Sequence, residues 1–214
     1  MTDMSDPRLP TAPDHGATAT PANGLDPEMP ALPAELPAAA ITSFLKELRN
    51  IRHYEDRPVP EDILQDILEV ARWSGSAKNV QPWSFVTIHD RVTLDALADL
   101  PGFVKHVNLA PLGIMLVMDG QEDQAPQETF DEGRLTERIM LAAAAHGLVS
   151  SIAWFGSSGG PASDAAKDIL GIPRDRLVRT LISIGYPDLD AHAANPNGLG
   201  GRKDLDETVH TDRW

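Results

Sequence analysis

The seven residues Leu112–Met118 carry no polar side chain, and this run limits the possible folds more than any other feature of the chain. A strand of this composition is buried on both faces. Further strands are predicted at residues 83–89, 149–155 and 177–184, and helical segments alternate with them along the chain. This alternation predicts a layered helix/sheet domain.

Apolar residues at helical spacing predict five helices. They cover residues 41–50, 60–72, 90–100, 135–146 and 162–170. Pro60 suits a helix start, Asp90 suits an N-terminal cap and Gly147 suits a helix end. The last segment, residues 188–214, is polar and has no core pattern of its own. Because it still carries apolar groups and ends in Trp214, we expect it to pack against another surface.

Residues 1–38 contain eight prolines and no aromatic residue. Such a segment cannot bury enough apolar surface to offset the entropy lost on ordering. We therefore predict a disordered tail, followed by one domain at residues 39–214, whose length suits a single core. The alternative is that the tail is an arm that becomes ordered against a partner subunit.

The formal net charge of −14 argues against general affinity for nucleic acid or anionic membranes, and it makes any arginine cluster a candidate site for a specific anion. The chain has no cysteine, which excludes thiolate nucleophiles and metal–thiolate sites. It shows neither a transmembrane run nor an apolar signal sequence, so we predict a cytoplasmic protein. The histidines are scattered without ligand spacing, and no metal site is predicted.

One short motif suggests a hydrolase. Gly156-Ser157-Ser158-Gly159-Gly160 fits the G-x-S-x-G pattern between a predicted strand and a predicted helix, with Ser158 as the nucleophile. His192 or His210 would then act as the base. Pro161 follows at once and no acid stands out, so a flexible turn that opens a helix is the favoured interpretation. Neither a dinucleotide-binding glycine motif nor a triphosphate-binding loop is present.

Two other segments could bind an anion and a flat ring. Arg49-Asn50-Ile51-Arg52 places two guanidinium groups at the end of a helix, where they bind either a phosphate or the helix carbonyls. Residues 72–83 join a helix to a strand through small residues, which let a ring approach the backbone, and through Ser, Asn and Gln, which offer hydrogen bonds. The alternative is an ordinary helix-to-strand loop. Trp83 is assigned to the core.

In order and spacing, these segments resemble the FMN-dependent nitroreductase superfamily. The chain has Arg49-Asn50-Ile51-Arg52, then Pro58-Val59-Pro60, then Gly75-Ser76-Ala77-Lys78-Asn79-Val80-Gln81-Pro82-Trp83. Asn50 stands where the family has serine, and Gly75 stands where it has proline. The resemblance continues through an Ala-rich helix before Gly147-Leu148, a strand with Trp154, and the late residues Gly185-Tyr186-Pro187 and Arg202-Lys203.

The resemblance implies an α+β fold, a three-layer α/β/α sandwich around a mixed, mainly antiparallel sheet, with a C-terminal extension exchanged in a homodimer. It implies an oxidoreductase that binds FMN and uses NAD(P)H to reduce nitroaromatic, quinone or similar acceptors, by ping-pong hydride transfer through flavin N5. No catalytic residue is assigned, because solvent can protonate the product. Two alternatives stay open. One is a dehydrogenase or dehalogenase of a specific metabolite, favoured by a lid at residues 120–134, and the other is a non-catalytic flavin-binding protein.

The resemblance also assigns residues to the flavin site. The phosphate would be held by Arg49, Asn50, Arg202 and Lys203. Arg52 would lie near the N1/C2=O edge of the ring, where a positive charge stabilises the reduced flavin.

The remaining assigned residues surround the ring. Flavin N5 would be faced by backbone groups around Trp154, Phe155 and Gly156. The flavin of the other subunit would be reached by Gly75, Ser76 and Asn79.

Overall fold

The computed structural model describes residues 36–156, 160–194 and 201–214. These residues form four strands: β1 (Trp83–Ile88), β2 (Leu112–Met118), β3 (Val149–Trp154) and β4 (Leu177–Gly185). They also form six α-helices: α1 (Ala38–Glu47), α2 (Glu61–Arg72), α3 (Arg91–Ala98), α4 (Ala125–Ala145), α5 (Pro161–Leu170) and α6 (Leu189–Ala194). All four predicted strands are confirmed within two residues at either end.

The chain divides into two compact units, Met1–Ser43 and Phe44–Trp214. In the first unit the structure describes only residues 36–43. The predicted disorder of residues 1–38 falls almost wholly outside the described residues and stays a prediction.

The strands form one sheet in the order β1-β2-β4-β3. The three neighbouring pairs are all antiparallel, as in the pairing of Val86 with Met115 and of Leu181 with both Met115 and Ala153. The sheet is therefore antiparallel throughout the described residues, without the parallel pair that a mixed sheet would contain. Strand β2 lies inside the sheet, and all seven of its residues are buried.

The sheet separates two hydrophobic cores. Successive side chains of a strand point to opposite faces: Ile114 and Leu116 contribute to one core, whereas Met115 and Val117 contribute to the other. The first core is completed by α2 and α4, and the second by α3 and α5. This arrangement confirms the three-layer α/β/α sandwich.

Helix α4 begins ten residues earlier than the sequence predicts, at Ala125 rather than residue 135. Its first half buries three acids, Glu128, Asp131 and Glu132, so the apolar period that marks a helix is missing there. Residues 125–134, most of the segment considered as a lid for the metabolite-specific alternative, form the first half of this helix, and the lid stays a prediction. No helix in the described part of the chain is long and apolar enough to cross a membrane.

Candidate flavin site

The loop after α1 runs beside the edge strand β3. The Ile51 amide donates to the Ser150 carbonyl at 3.3 Å, which fixes the loop against the sheet. A cavity of about 520 Å³ opens there, and its lining includes Arg49, Asn50 and Arg202. We call it the basic cavity. It brings together Arg49 and Arg202, which lie near opposite ends of the folded part. Lys203 is exposed beside Arg202 and is not among the lining residues.

The hydrogen bonds of Arg49 fit the alternative that the sequence left open. Its Nη1 atom donates to the carbonyls of Lys46 and Leu48 at 2.6 and 2.7 Å. Arg202 donates to the Gly201 carbonyl at 2.8 Å. Both guanidinium groups are thus oriented by the backbone while they line the basic cavity. Helix-end contacts and anion binding are compatible roles for these arginines.

Arg52 lies further along the same loop, under an aromatic ring. Its guanidinium carbon is 4.9 Å from the centre of the Phe103 ring. Its Nε atom is buried and has no hydrogen-bond partner within the described residues. Burial lowers the pKa of the neighbouring His106 to about 4, and the positive charge of Arg52 acts in the same direction. His106 is therefore neutral at physiological pH and adds no second positive charge beside Arg52.

The end of β3 supplies Trp154, whose side chain is 44% exposed. Its backbone exchanges two hydrogen bonds with Phe103, and the Phe155 amide donates to the Arg179 carbonyl at 2.9 Å. The Trp154 and Phe155 amides are thus used within the protein, and the Phe155 side chain is buried. Gly156, the third residue assigned to face N5, has a positive φ of 88°.

Residues 75–79 lie near the N-terminal half of α4, whereas the basic cavity lies near its C-terminal end. Asp131 of α4 accepts a hydrogen bond from the Ala77 amide at 3.0 Å. Lys78 and Asn79 both have positive φ, a conformation that costs about 1–3 kcal/mol for a side-chain-bearing residue and is concentrated at functional sites. Ser76 lines a cavity of about 370 Å³ that also contains Phe130 and Arg134; we call it the loop cavity.

Two further cavities lie between these ends. The edge cavity, about 270 Å³, contains Trp154 and shares Glu137 with the basic cavity. The outer cavity, about 590 Å³, shares Gly133 with the edge cavity and Phe130 with the loop cavity. The four cavities thus form a row along the exposed face of α4. At the standard helical rise, the Ala144 end of this row is about 20 Å from the Asp131 end.

The structure therefore places Arg49, Arg202 and Trp154 along one stretch of this row, and Ser76 and Ala77 at its opposite end. Sequence reasoning missed the contribution of α4 itself. A buried ion pair joins Glu132 to Arg179 at the edge cavity. The four-residue spacing of Phe130 and Arg134 could have indicated an aromatic–cation pair on one face of a helix.

Known proteins share both the motifs and the fold. Residues 45–105 match the model of the Nitroreductase family. A protein of Archaeoglobus fulgidus, "Putative NADH dehydrogenase/NAD(P)H nitroreductase", is 32% identical over 78% of this chain and 94% of its own length. An NADH dehydrogenase of Thermus thermophilus is 30% identical over 72% of this chain and 90% of its own.

The fold is also that of a solved structure, an FMN-dependent nitroreductase from Clostridium difficile. The two agree with a TM-score of 0.66 and 26% identity, over 81% of this chain and 99% of the other. The fold thus defines a class of three-layer sandwich domains that includes nitroreductases. The chain belongs to the nitroreductase family and is an oxidoreductase.

Proposed function

We propose that this protein is an FMN-dependent oxidoreductase that uses NAD(P)H to reduce nitroaromatic, quinone or similar acceptors. The observation that carries the proposal is the row of cavities along α4. It begins between Arg49 and Arg202 and continues past Trp154, which suits a ligand with a phosphate at one end and a flat ring at the other.

The basic cavity suits the phosphate of FMN. Arg49 and Arg202 would bind it by charge-assisted hydrogen bonds, and Asn50 would add a neutral donor. The lining also includes Glu47 and Glu137, so anion binding here would depend on the positions of the Arg49 and Arg202 donors rather than on the net charge of the cavity. Lys203, exposed next to Arg202, would add a third positive charge to this end.

Arg52 would lie beside the ring. Its buried Nε atom has no partner within the described residues, and a buried donor without a partner is costly unless a ligand or water satisfies the group. Its permanent positive charge would stabilise negative charge on the N1/C2=O edge. Bound FMN would supply two-electron transfer between donor and acceptor in one site. One hydride and one proton convert a quinone to a quinol, or a nitro group to a nitroso group and water.

We further propose that the active unit is a homodimer in which residues 75–79 complete the site of the partner subunit. Two observations support this. The 75–79 cluster lies about 20 Å along α4 from the basic cavity of its own chain. The last residues also expose apolar side chains, with Leu205 77% and Trp214 99% exposed, and such groups suit burial against a second copy.

The cofactor is tested by chromatography of the flavin released from purified, denatured protein. FMN is the expected product, and a predominance of FAD would overturn the assignment. Anaerobic NAD(P)H should then bleach the flavin absorption of the native protein, and a nitroaromatic or quinone should restore it. Steady NAD(P)H oxidation with any acceptor would exclude a non-catalytic flavin-binding protein.

The shared site is tested by mixing two inactive variants, Arg52→Ala and Asn79→Ala. In a co-refolded heterodimer one of the two sites carries neither substitution, so activity should return to about half of the wild-type value per flavin. Each variant refolded alone is the control. A monomeric active species in sedimentation, or no recovery in proven heterodimers, would contradict the proposal.

A further inference from the structure

Arg134 is held against the backbone at Gly75. A Cβ atom built at Gly75 would lie 2.4 Å from Arg134 Nη2, so the guanidinium occupies the space that any other side chain would need. Arg134 can take this position because residue 75 has no side chain, and with a larger residue there the flexible end of Arg134 would shift.

The Arg134 guanidinium is available to a ligand. Its side chain is 43% exposed and lies 3.7 Å from Asp131, which is an ion pair but too long for a hydrogen bond. The other Asp131 oxygen is occupied by the Ala77 amide. In the described part of the chain, Arg134 has no hydrogen-bond partner, so its donors face the loop cavity and the outer cavity.

An aromatic ring stands beside this charge. Phe130, one turn earlier in α4, is 68% exposed, and the Arg134 guanidinium carbon is 5.8 Å from the centre of its ring. Both residues line both cavities. A flat apolar surface next to a guanidinium with available donors matches a planar molecule that carries a carboxylate.

The neighbouring cation does not compete for this role. Arg138, one turn later, donates to the Trp73 carbonyl at 3.1 Å and so is already engaged with the backbone. Arg134 therefore supplies the available guanidinium beside Phe130.

We propose that Phe130 and Arg134 form a subsite that selects aromatic electron acceptors bearing a carboxylate. The proposal rests on the proposed function, because it concerns which acceptor the reductase prefers. NAD(P)H supplies the hydride, solvent supplies the proton, and the nitro group becomes a nitroso group with release of water. Phe130 contacts the ring and Arg134 pairs with the carboxylate, while neither takes part in electron transfer.

The test compares 4-nitrobenzoate with 4-nitrobenzamide, two acceptors of nearly the same shape that differ in charge. For each protein the measured quantity is the ratio of their kcat/KM values. Arg134→Gln should lower the ratio of anion to amide by about five- to tenfold, and Arg134→Lys should lower it less. Arg174→Gln makes the same change in net charge on the α5 side of the sheet and should leave the ratio near that of the wild type.

Binding without turnover gives a second measurement. Calorimetric titration with 4-nitrobenzoate, in the absence of NAD(P)H, should show the same loss of affinity in Arg134→Gln. Arg134→Gln should leave the ratio of kcat/KM for NADPH to that for NADH unchanged, because these values report the reduction of the flavin by the donor. A fall in that ratio would mean that Arg134 binds the donor phosphate, and would overturn the proposal.

The outcomes separate this inference from the function on which it rests. An unchanged ratio in Arg134→Gln overturns the subsite while 4-nitrobenzamide reduction still supports the reductase. An equal fall in Arg174→Gln also overturns the subsite, because net charge alone would then explain the effect. No reduction of either acceptor by wild-type, FMN-loaded protein would instead contradict the proposed function.

Discussion

The first half of α4 buries three carboxylates, whereas its second half buries mainly apolar side chains such as Leu135 and Ile139. Each carboxylate binds a different part of the chain: Glu128 the 120–121 turn, Asp131 the Ala77 amide and Glu132 the Arg179 side chain. The second half, by contrast, packs through non-directional contacts next to the exposed loop of Arg49.

The comparison shows two ways to hold a site. Hydrogen bonds from buried carboxylates fix the positions of loops, because each bond has a required distance and angle. Apolar packing stabilises the second half without using the guanidinium groups of Arg49 and Arg202, which line the adjoining basic cavity. We therefore expect substitutions at the first half to change stability, and substitutions near the second half to change cofactor binding.

The largest effect is expected at the buried ion pair of Glu132 and Arg179, whose side chains are 6% and 11% exposed. Glu132→Leu leaves Arg179 as an uncompensated buried charge and should lower the free energy of unfolding by about 3–5 kcal/mol. Urea unfolding of the apoprotein measures it. Adding Arg179→Met should recover most of the loss. If the double variant is no more stable than the single one, the charge imbalance is not the cause.

A smaller effect is expected at Glu128, whose two oxygens accept from the Gly120 and Gln121 amides at 2.9 and 3.0 Å. Glu128→Ala leaves both amides without a partner and should cost about 2 kcal/mol. Glu128→Gln keeps one acceptor oxygen and should cost about half as much. Equal losses in the two variants, measured by urea unfolding, would show that packing rather than hydrogen bonding matters here.

His106 provides a pH-dependent effect of about 1–2 kcal/mol, allowing for its partial solvent exposure. Burial, together with Arg52, holds its pKa at about 4 in the folded protein against 6.5 in the reference state. The unfolded chain therefore binds a proton between these values when the folded protein does not. This contribution is complete above about pH 6.5 and is lost as pH falls toward 4.

The measurement is the difference in unfolding free energy between wild type and His106→Gln, taken at pH 7.5 and at pH 4.5. The wild type should lose its relative advantage at the lower pH, while other titrating groups cancel in the difference. A constant difference at the two pH values would show that His106 titrates normally in the folded protein.

The smallest effect on stability is expected at the basic cavity, beside the second half of α4. Arg49→Ala and Arg202→Ala should each change the unfolding free energy of the apoprotein by less than about 0.5 kcal/mol, since both residues are exposed. FMN retention should nevertheless fall by roughly ten- to a hundredfold, as for a lost charge-assisted phosphate contact. Equilibrium dialysis measures it. If both variants keep FMN as tightly as the wild type, these arginines serve only as helix-end and surface residues.

Much of the fold could be predicted because strand and helix periods are local. Strand β2 has the bounds that its apolar run predicts, and Asp90 caps α3 by accepting from the Thr93 amide at 2.9 Å. The start of α4 could not be predicted in this way. Its buried face carries Glu128, Asp131 and Glu132, which look like a solvent-exposed segment until their partners from other elements are known.

Part of the candidate site could also be predicted from the sequence. The motif residues from Arg49 to Trp83 point to a nitroreductase-like flavin site by their order and spacing. The Ser158 hypothesis lies outside the described residues, and membership of an oxidoreductase family supports a different activity. The order of the motifs could not reveal that Trp154 and Phe155 use their amides within the protein.

The sequence by itself determined the identity of the strands, the apolar stripes of the helices and the arginine-rich ends, because each depends on neighbours along the chain. Only the tertiary structure decided that Arg49 and Arg202, separated by most of the folded part, line one cavity, and that Arg134 lies against Gly75. Such contacts between distant residues depend on how α4 packs across the sheet. Packing is set by the shapes and charges of all the elements together rather than by any local pattern.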